Sequence, residues 1–359
     1  MNKSVDTLPV PPAETPAALG YRMPAEWAPH QATWLSWPHN TETWPDELDR
    51  VETTMCRCVA ALAPHETVHI NVRDEAHERH VRELLNEAGV TGNVRLHHIP
   101  TNDAWIRDHG AIFVVRDDEH GRSLAATDWG FNSWGGKYPP WDDDNRVPAQ
   151  MANLLRVPRF ESDIVLEGGS IDVNGAGVLL TTEQCLLNPN RNPHLTREDI
   201  EARLRAYLGV EKVLWLGEGI VGDDTDGHVD DITRFVSEDT ILTVVEEDMT
   251  DENGPILQEN LRMLRSMTNV DGKPFNIVTL PMPAPVVIKG ERMPASYANF
   301  YIANGIVILP TYRDAVNDAK AQDVLQRLFP ERRVVPIDFT DVIWGLGAIH
   351  CLTQQVPSI

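Results

Sequence analysis

Acids, histidines and one cysteine cluster in four short stretches of this sequence, each with the composition of a loop that does chemistry. In Asn102-Asp103-Ala104-Trp105-Ile106-Arg107-Asp108-His109-Gly110, a carboxylate stands close to an aromatic ring. Such a pair cradles a flat cation, because carboxylates grip guanidinium groups in bidentate fashion and ring faces attract them. An internal ion pair between Arg107 and a neighbouring aspartate would account for the same residues structurally. Glu167 follows the apolar Ile164 and Val165 and precedes Gly168-Gly169-Ser170. That puts an acid at a strand end where two glycines allow another backbone or a ligand to approach closely, although a turn acid looks much the same.

The stretch Asp223 to Asp231 surrounds His228 with five acids. If extended, its alternation places His228 and Asp230 on one face. Carboxylates and imidazole also suit several metals, so a divalent-metal site competes here, and a structural acidic loop is the plain alternative. No second histidine-rich cluster completes a ligand set, and a free thiol points to thiol chemistry instead. That thiol is Cys351, in Trp344-Gly345-Leu346-Gly347-Ala348-Ile349-His350-Cys351, read as a strand leading into a glycine-rich turn. It is either a nucleophile or a small buried hydrophobe. The adjacent His350 would point to the opposite face of an extended chain, which leaves His228 as the better base.

The elements that must position these loops alternate between helix and strand. Val51, Met55, Cys58, Val59 and Leu62 recur at helical spacing, and Val68 to Val72 then read as strand. Thr196 to Asp199 opens a helix through Ile200, Leu204 and Leu208, Gly209 ends it, and Val213 to Leu216 resume as strand. A helix over 320–329 followed by a strand over 333–337 gives another copy. The repetition is too divergent for a simple solenoid, and each copy runs into an acid-, glycine- or histidine-rich loop, so functional loops gather at one end. Residues 1–20 read as a mobile arm rich in Pro, Ala and Thr, and residues 21–359 as a single catalytic α/β domain.

With 359 residues, 42% of them hydrophobic and 24% charged, the chain has ample material for a large core. Its net charge of −23 opposes binding to nucleic acid, which rests on basic side chains neutralising phosphates, and favours a small cation instead. Neither a signal-like apolar run nor a membrane-length segment occurs, so a cytoplasmic protein without membrane contact is expected. The cysteines Cys56, Cys58, Cys185 and Cys351 form no CxxC pair, which argues against a disulfide framework or a zinc ligand set.

Taken together with Met23-Pro24-Ala25-Glu26-Trp27, Trp34-Leu35-Ser36-Trp37-Pro38, Phe131-Asn132-Ser133-Trp134-Gly135-Gly136-Lys137, Asn190-Arg191-Asn192-Pro193 and the ending through Gln355, these stretches resemble the agmatine deiminase family. That family sits within the superfamily of guanidine-modifying enzymes and is related to bacterial peptidyl-arginine deiminases. The resemblance implies an α/β fold in which a closed five-bladed propeller of ββαβ-type repeats, the pentein fold, surrounds a central active site. It also implies a homodimer, and neither cofactor nor metal. Carried over by motif, Cys351 would be the nucleophile and His228 the acid and base. Asp108, Asp230 and Glu167 would bind the guanidinium, Trp105 would wall the alkyl chain, and Asp224 would meet the distal ammonium of agmatine. This sequence departs from the family in two places: Gly345-Leu346-Gly347-Ala348 replaces the usual Gly-Gly-Gly-Asn, and an insertion carried by some members before Pro294-Ala295-Ser296-Tyr297 is missing.

The chemistry makes sense of these residue types. A guanidinium is resonance-stabilised and poorly electrophilic, so covalent catalysis splits a difficult hydrolysis into two steps. The surrounding acids would push the thiol pKa upward, so Cys351 is expected to be protonated in free enzyme and to ionise once a cationic substrate arrives. Competing readings are a deiminase of free arginine or peptidyl-arginine, an amidinotransferase, a polyamine-binding protein without activity, and a metal-dependent hydrolase.

Overall fold

In the computed structural model the described residues are 14–90, 92–119 and 121–359. The first thirteen residues of the expected arm lie outside them. Ala17–Leu19, the part of that arm nearest the body, forms a 3-10 turn closed by Gly20 in a left-handed conformation.

The helix and strand periodicities materialise where they were strongest. The predicted helix around Val51 to Leu62 spans Leu48–Leu62 and buries those five apolar residues. Thr196 and Asp199 form a reciprocal capping box at the start of the helix Arg197–Leu208, and Gly209, at φ 65°, ends it. The helix expected over 320–329 begins earlier, at Ala315, because the Asp314 side chain accepts a hydrogen bond from the Asn317 backbone N–H and caps it there.

Among the described residues, five principal sheets recur with one internal plan, an antiparallel pair followed by a parallel neighbour reached through helix, to which the fifth adds one more parallel strand. In chain order the first holds Ile112–Asp118, Gly121–Gly130 and Arg159–Val165. The second holds Asp172–Val173, Val178–Thr182 and Lys212–Leu216. The third holds Thr233–Ser237, Thr240–Val245 and Asn276–Pro281. The fourth holds Tyr301–Ala303, Ile306–Thr311 and Arg333–Asp338. The fifth starts with Gln354–Pro357, near the C-terminus, and is completed by His30–Ser36, Thr67–Val72 and Val94–His98 from the other end of the chain. Middle strands such as Val178–Thr182 and Ile306–Thr311 are buried almost throughout, which is why they read as unbroken apolar runs. A short hairpin, Val287–Ile288 with Glu291–Arg292, stands apart from the five.

Each sheet's antiparallel lead strand is entered through a tight turn, and four of these five turns carry acids, histidines or the cysteine singled out above. Asp108 lies in the turn Ile106–His109 before the first sheet, and Glu167 precedes the 3-10 turn Gly168–Ser170 before the second. His228 and Asp230 flank the entry to the third, around the 3-10 turn Val229–Asp231, and Cys351 comes three residues before the strand of the fifth. The fourth turn supplies a residue not anticipated, Asn299.

Candidate active site

The five turns converge on a buried cluster open to one cavity of about 760 Å³, whose lining includes Trp105, Asp108, Trp134, Asp224 and Cys351. At the centre Gly169 makes room for three groups at once. A Cβ built there would stand 2.6 Å from His228 Nδ1, 2.8 Å from Asp108 Oδ1 and 3.1 Å from Asp230 Oδ2. The two glycines after Glu167 are therefore required by close approach rather than by backbone conformation: Gly168 faces the Arg107 carbonyl at 2.2 Å from the same construction.

Each carboxylate is held by its own partners. Asp108 accepts from Trp134 Nε1 (3.0 Å) and from the Gly169 N–H (3.0 Å). Glu167 Oε1 accepts from Arg191 Nε at 2.6 Å, and both side chains are fully buried. Asp230 Oδ2 lies 2.6 Å from His350 Nδ1, and His350 Nε2 lies 2.8 Å from Glu26 Oε2. Glu26 in turn is met by Arg234 Nη2 at 2.8 Å and by Arg107 Nη2 at 3.6 Å. His350 thus bridges two carboxylates as part of the buried scaffold. The extended arrangement expected for this segment does not form: residues 348–353 make consecutive turns, and Ile343–Gly345 is a 3-10 turn where a strand was expected. Residues 229–231 are likewise a 3-10 turn, yet His228 and Asp230 still reach the same site.

What remains unpaired is informative. Among the described residues, Glu167 Oε2, Asp230 Oδ1 and both ring nitrogens of His228 are buried without a hydrogen-bond partner. His228 Nδ1 is 3.7 Å from Asp108 Oδ1, and Nε2 is 4.0 Å from Glu167 Oε2. Burial alone would lower the imidazole pKa, but Asp108, Cys185 and Glu167 outweigh it and hold His228 well above its ordinary value. Burial chiefly, with Asp230, Asp231 and Asp108 adding to it, pushes the Cys351 thiol well above its usual range, as the sequence implied. Asn299 Nδ2 donates to Cys351 Sγ (3.1 Å) and to Asp231 Oδ1 (2.9 Å), and the thiol faces Asp230 Oδ2 at 3.7 Å. Burial and the surrounding aspartates thus favour the neutral form of the Cys351 thiol, while the carboxylates around His228 favour its cationic form. Asp108 itself is raised by burial and by Asp230 and Glu167, with His228 and Trp134 opposing.

Trp105 walls the cavity, packed against Trp44 at 5.4 Å between centroids. The loop bearing the departures folds over this pair. A Cβ at Gly347 would lie 2.6 Å from Trp105, and one at Gly345 would lie 2.7 Å from Trp44. Leu346 sits at φ 70°, a left-handed conformation that costs a non-glycine residue energy and that glycine adopts freely. Asp224, at the cavity mouth, does not wait unpaired: Lys137 Nζ lies 3.3 Å from its Oδ1 and the Tyr138 hydroxyl donates to its Oδ2 at 2.5 Å. Arg73 and Lys137 also line the cavity, basic partners that sequence reasoning did not name.

Among the described residues, two groups of side chains have ligand types within 4.8 Å of one another that a metal could use: Glu167–Cys185–His228 and Asp230–Asp231–Cys351. Each offers at most one imidazole, and the Arg191 guanidinium already occupies Glu167 in the first.

The family model for Porphyromonas-type peptidyl-arginine deiminase matches residues 22–357. Agmatine deiminase of Ectopseudomonas mendocina is 39% identical over 96% of this chain and 97% of its own length, and that of Medicago truncatula is 39% identical over 96% and 98%. Among solved structures, agmatine deiminase of Enterococcus faecalis superposes with a TM-score of 0.91 at 34% identity, covering 96% of this chain and 98% of its own. A cysteine-to-serine variant of the C. jejuni agmatine deiminase with substrate bound gives 0.84 at 31% identity, over 94% and 96%.

Proposed function

Because this chain belongs to the Porphyromonas-type peptidyl-arginine deiminase family, we infer that it is an agmatine deiminase, a hydrolase turning agmatine and water into N-carbamoylputrescine and ammonia. The observation that carries the substrate class is the set of buried acceptors left without donors, Glu167 Oε2 and Asp230 Oδ1, beside a thiol. A guanidinium is planar and brings five N–H donors in a fixed fork, which is the complement such a site lacks.

In the reaction, Asp108, Asp230 and Glu167 hold the guanidinium nitrogens and Trp105 walls the alkyl chain. The arriving cation offsets the acids that hold the thiol protonated, so Cys351 releases its proton to solvent in the cavity, its sulfur adds to the central carbon, and the C=N π pair moves onto nitrogen. His228 gives its proton to the departing nitrogen, which leaves as ammonia and breaks the C–N bond. The amidino-thioether that remains is attacked by water, His228 takes a proton from that water, and collapse expels the Cys351 sulfur to give the ureido product. Asn299, donating to Sγ, supports the thiolate as it forms.

The shared three-strand plan of the five sheets, and the pairing of the last strand with the first, support a closed five-bladed ring with these turns at its centre. We read residues 21–359 as one catalytic unit. No described helix is long and apolar enough to cross a membrane, and all four cysteines are unpaired, which supports a cytoplasmic enzyme. A homodimer is part of the same reading.

The presence of Arg73 and Lys137 in the cavity gives one ground for a second reading, a guanidine that carries a carboxylate. Ammonia release and ureido product should be followed for agmatine, arginine and a peptidyl-arginine, with wild type and Cys351→Ala. Turnover of agmatine alone, abolished in the variant, is expected. Preference for arginine would overturn the substrate, and inhibition by a chelator would overturn the thiol mechanism.

A further inference from the structure

The Phe131-Asn132-Ser133-Trp134-Gly135-Gly136-Lys137 stretch is a strained, tightly anchored turn. Trp134 (φ 53°) and Gly135 (φ 95°) are left-handed, Asn132 Oδ1 accepts from the Gly135 N–H at 2.8 Å, and Asn132 Nδ2 donates to the Asn190 carbonyl at 2.9 Å. A side chain on Gly135 would strike Asn190, so the turn packs closely against that residue. It aims two side chains inward: Trp134 onto Asp108, and Lys137 onto the cavity mouth.

There the Lys137 ammonium donates to the Asp224 carbonyl (2.5 Å), Asp224 Oδ1 (3.3 Å) and Asp226 Oδ1 (3.0 Å). The side chain of lysine is an aminobutyl chain, the same group that agmatine carries on its guanidine. The carboxylate expected to receive the substrate's ammonium is therefore already engaged by a tethered copy of that ammonium. Lys137 is 25% exposed and Asp224 41%, so the contact stands where solvent can receive the lysine if it swings out, whereas the backbone beneath it is fixed. Asp226 remains neutralised without Lys137, since Arg191 Nη1 and Asn190 Nδ2 hold it at 2.6 and 2.9 Å.

We propose that Lys137 is a built-in competitor for the amine subsite: its ammonium closes over Asp224 in the empty enzyme, yields to the tail of agmatine, and returns to help displace the product. The proposal rests on the agmatine reading above. A competitor that holds the site closed most of the time reduces apparent affinity by the fraction of open enzyme. A partly exposed ion pair of this kind is worth a factor of roughly two to five. Substrate and product share the aminobutyl tail, so both are affected alike.

The test is Lys137→Met, which keeps most of the length of the chain and removes the charge. KM for agmatine and the inhibition constant of N-carbamoylputrescine should both fall roughly two- to fivefold with kcat maintained. The inhibition constant of 1-butylguanidine, which has the guanidine and the chain but no ammonium, should stay at the wild-type value. Lys137→Arg, which keeps a cation at the mouth, should leave KM for agmatine near wild type. A rise in KM for agmatine, or equal shifts for agmatine and butylguanidine, would overturn the proposal by making Lys137 part of the binding wall or the scaffold. Failure of the wild-type enzyme to release ammonia from agmatine would instead overturn the substrate reading.

Discussion

Replacing Gly169 with alanine adds one methyl group at the point where three functional side chains meet, and the consequence can be worked out from distances. Ordinary contact for a Cβ begins at about 3.4 Å, so His228 Nδ1, at 2.6 Å, would have to retreat by about 0.8 Å and Asp108 Oδ1, at 2.8 Å, by about 0.6 Å. Neither is the loose end of a flexible chain. Asp108 is tied to Trp134 and to the Gly169 N–H itself, and His228 is fully buried, its backbone N–H donating to Asp223 Oδ2 at 3.1 Å. Overpacking of this sort costs about 1–3 kcal/mol in stability, while displacing catalytic groups by close to 1 Å costs on the order of 10²-fold in rate. The variant should therefore remain folded by circular dichroism, melt several degrees lower, and release ammonia from agmatine about a hundredfold more slowly. Gly169→Ala protein with activity within about threefold of wild type would refute the placement of these three groups around one reacting centre.

Further outcomes follow from the same geometry. The rate of inactivation by iodoacetamide should be low at neutral pH and keep rising above pH 9, because the Cys351 thiol is held protonated by burial and three aspartates; a plateau reached below neutrality would contradict this. His228→Asn should cost about 10²–10⁴-fold in kcat with a far smaller change in KM, measured by steady-state ammonia release. Glu26→Gln removes the carboxylate charge that Arg234 and His350 share, leaving Arg234 only Asp172 and His350 only Asp230 as buried anions, and should destabilise the fold by about 3–5 kcal/mol in denaturant titration. Burial works against ionisation of Glu26, but Arg234 and His350, with Arg107, hold its pKa well below the ordinary 4.5. The stability it contributes is therefore complete above that value and lost as pH falls through the depressed one, so wild type should lose stability more steeply on acidification than the variant.

Much of the site was legible before any coordinates. Residue types that bind cations or carry protons stood out at Asp108, Glu167, His228, Asp230 and Cys351, and the structure brings all five together. The helices could be read where capping and periodicity agreed, as from Thr196 to Gly209. The partners were not legible, because they come from remote sequence: Glu26 meets His350 and Arg234, Arg191 meets Glu167, and Asn299 meets Cys351. One signal could have exposed Asn299. If each strand-entry turn of a five-fold repeat contributes to the site, the fourth turn must contribute too, and Asn299 stands there before Tyr301–Ala303. Local conformation was misread where extended chain was assumed. His228 to Asp231 and His350 to Leu352 form tight turns, which a two-residue alternation cannot describe.

The pairing of Gln354–Pro357 with His30–Ser36 has a bearing on how the protein comes into being. Among the described strands no other pairing spans so much sequence, and ordering so long a loop is slow and entropically costly. The segment carrying Cys351 is anchored by that late pairing. During synthesis the carboxylates and the imidazole emerge before the sulfur that would react. Until that segment docks, Asp230 also lacks the His350 that holds it, so the nucleophile and one wall of the cation site are completed together.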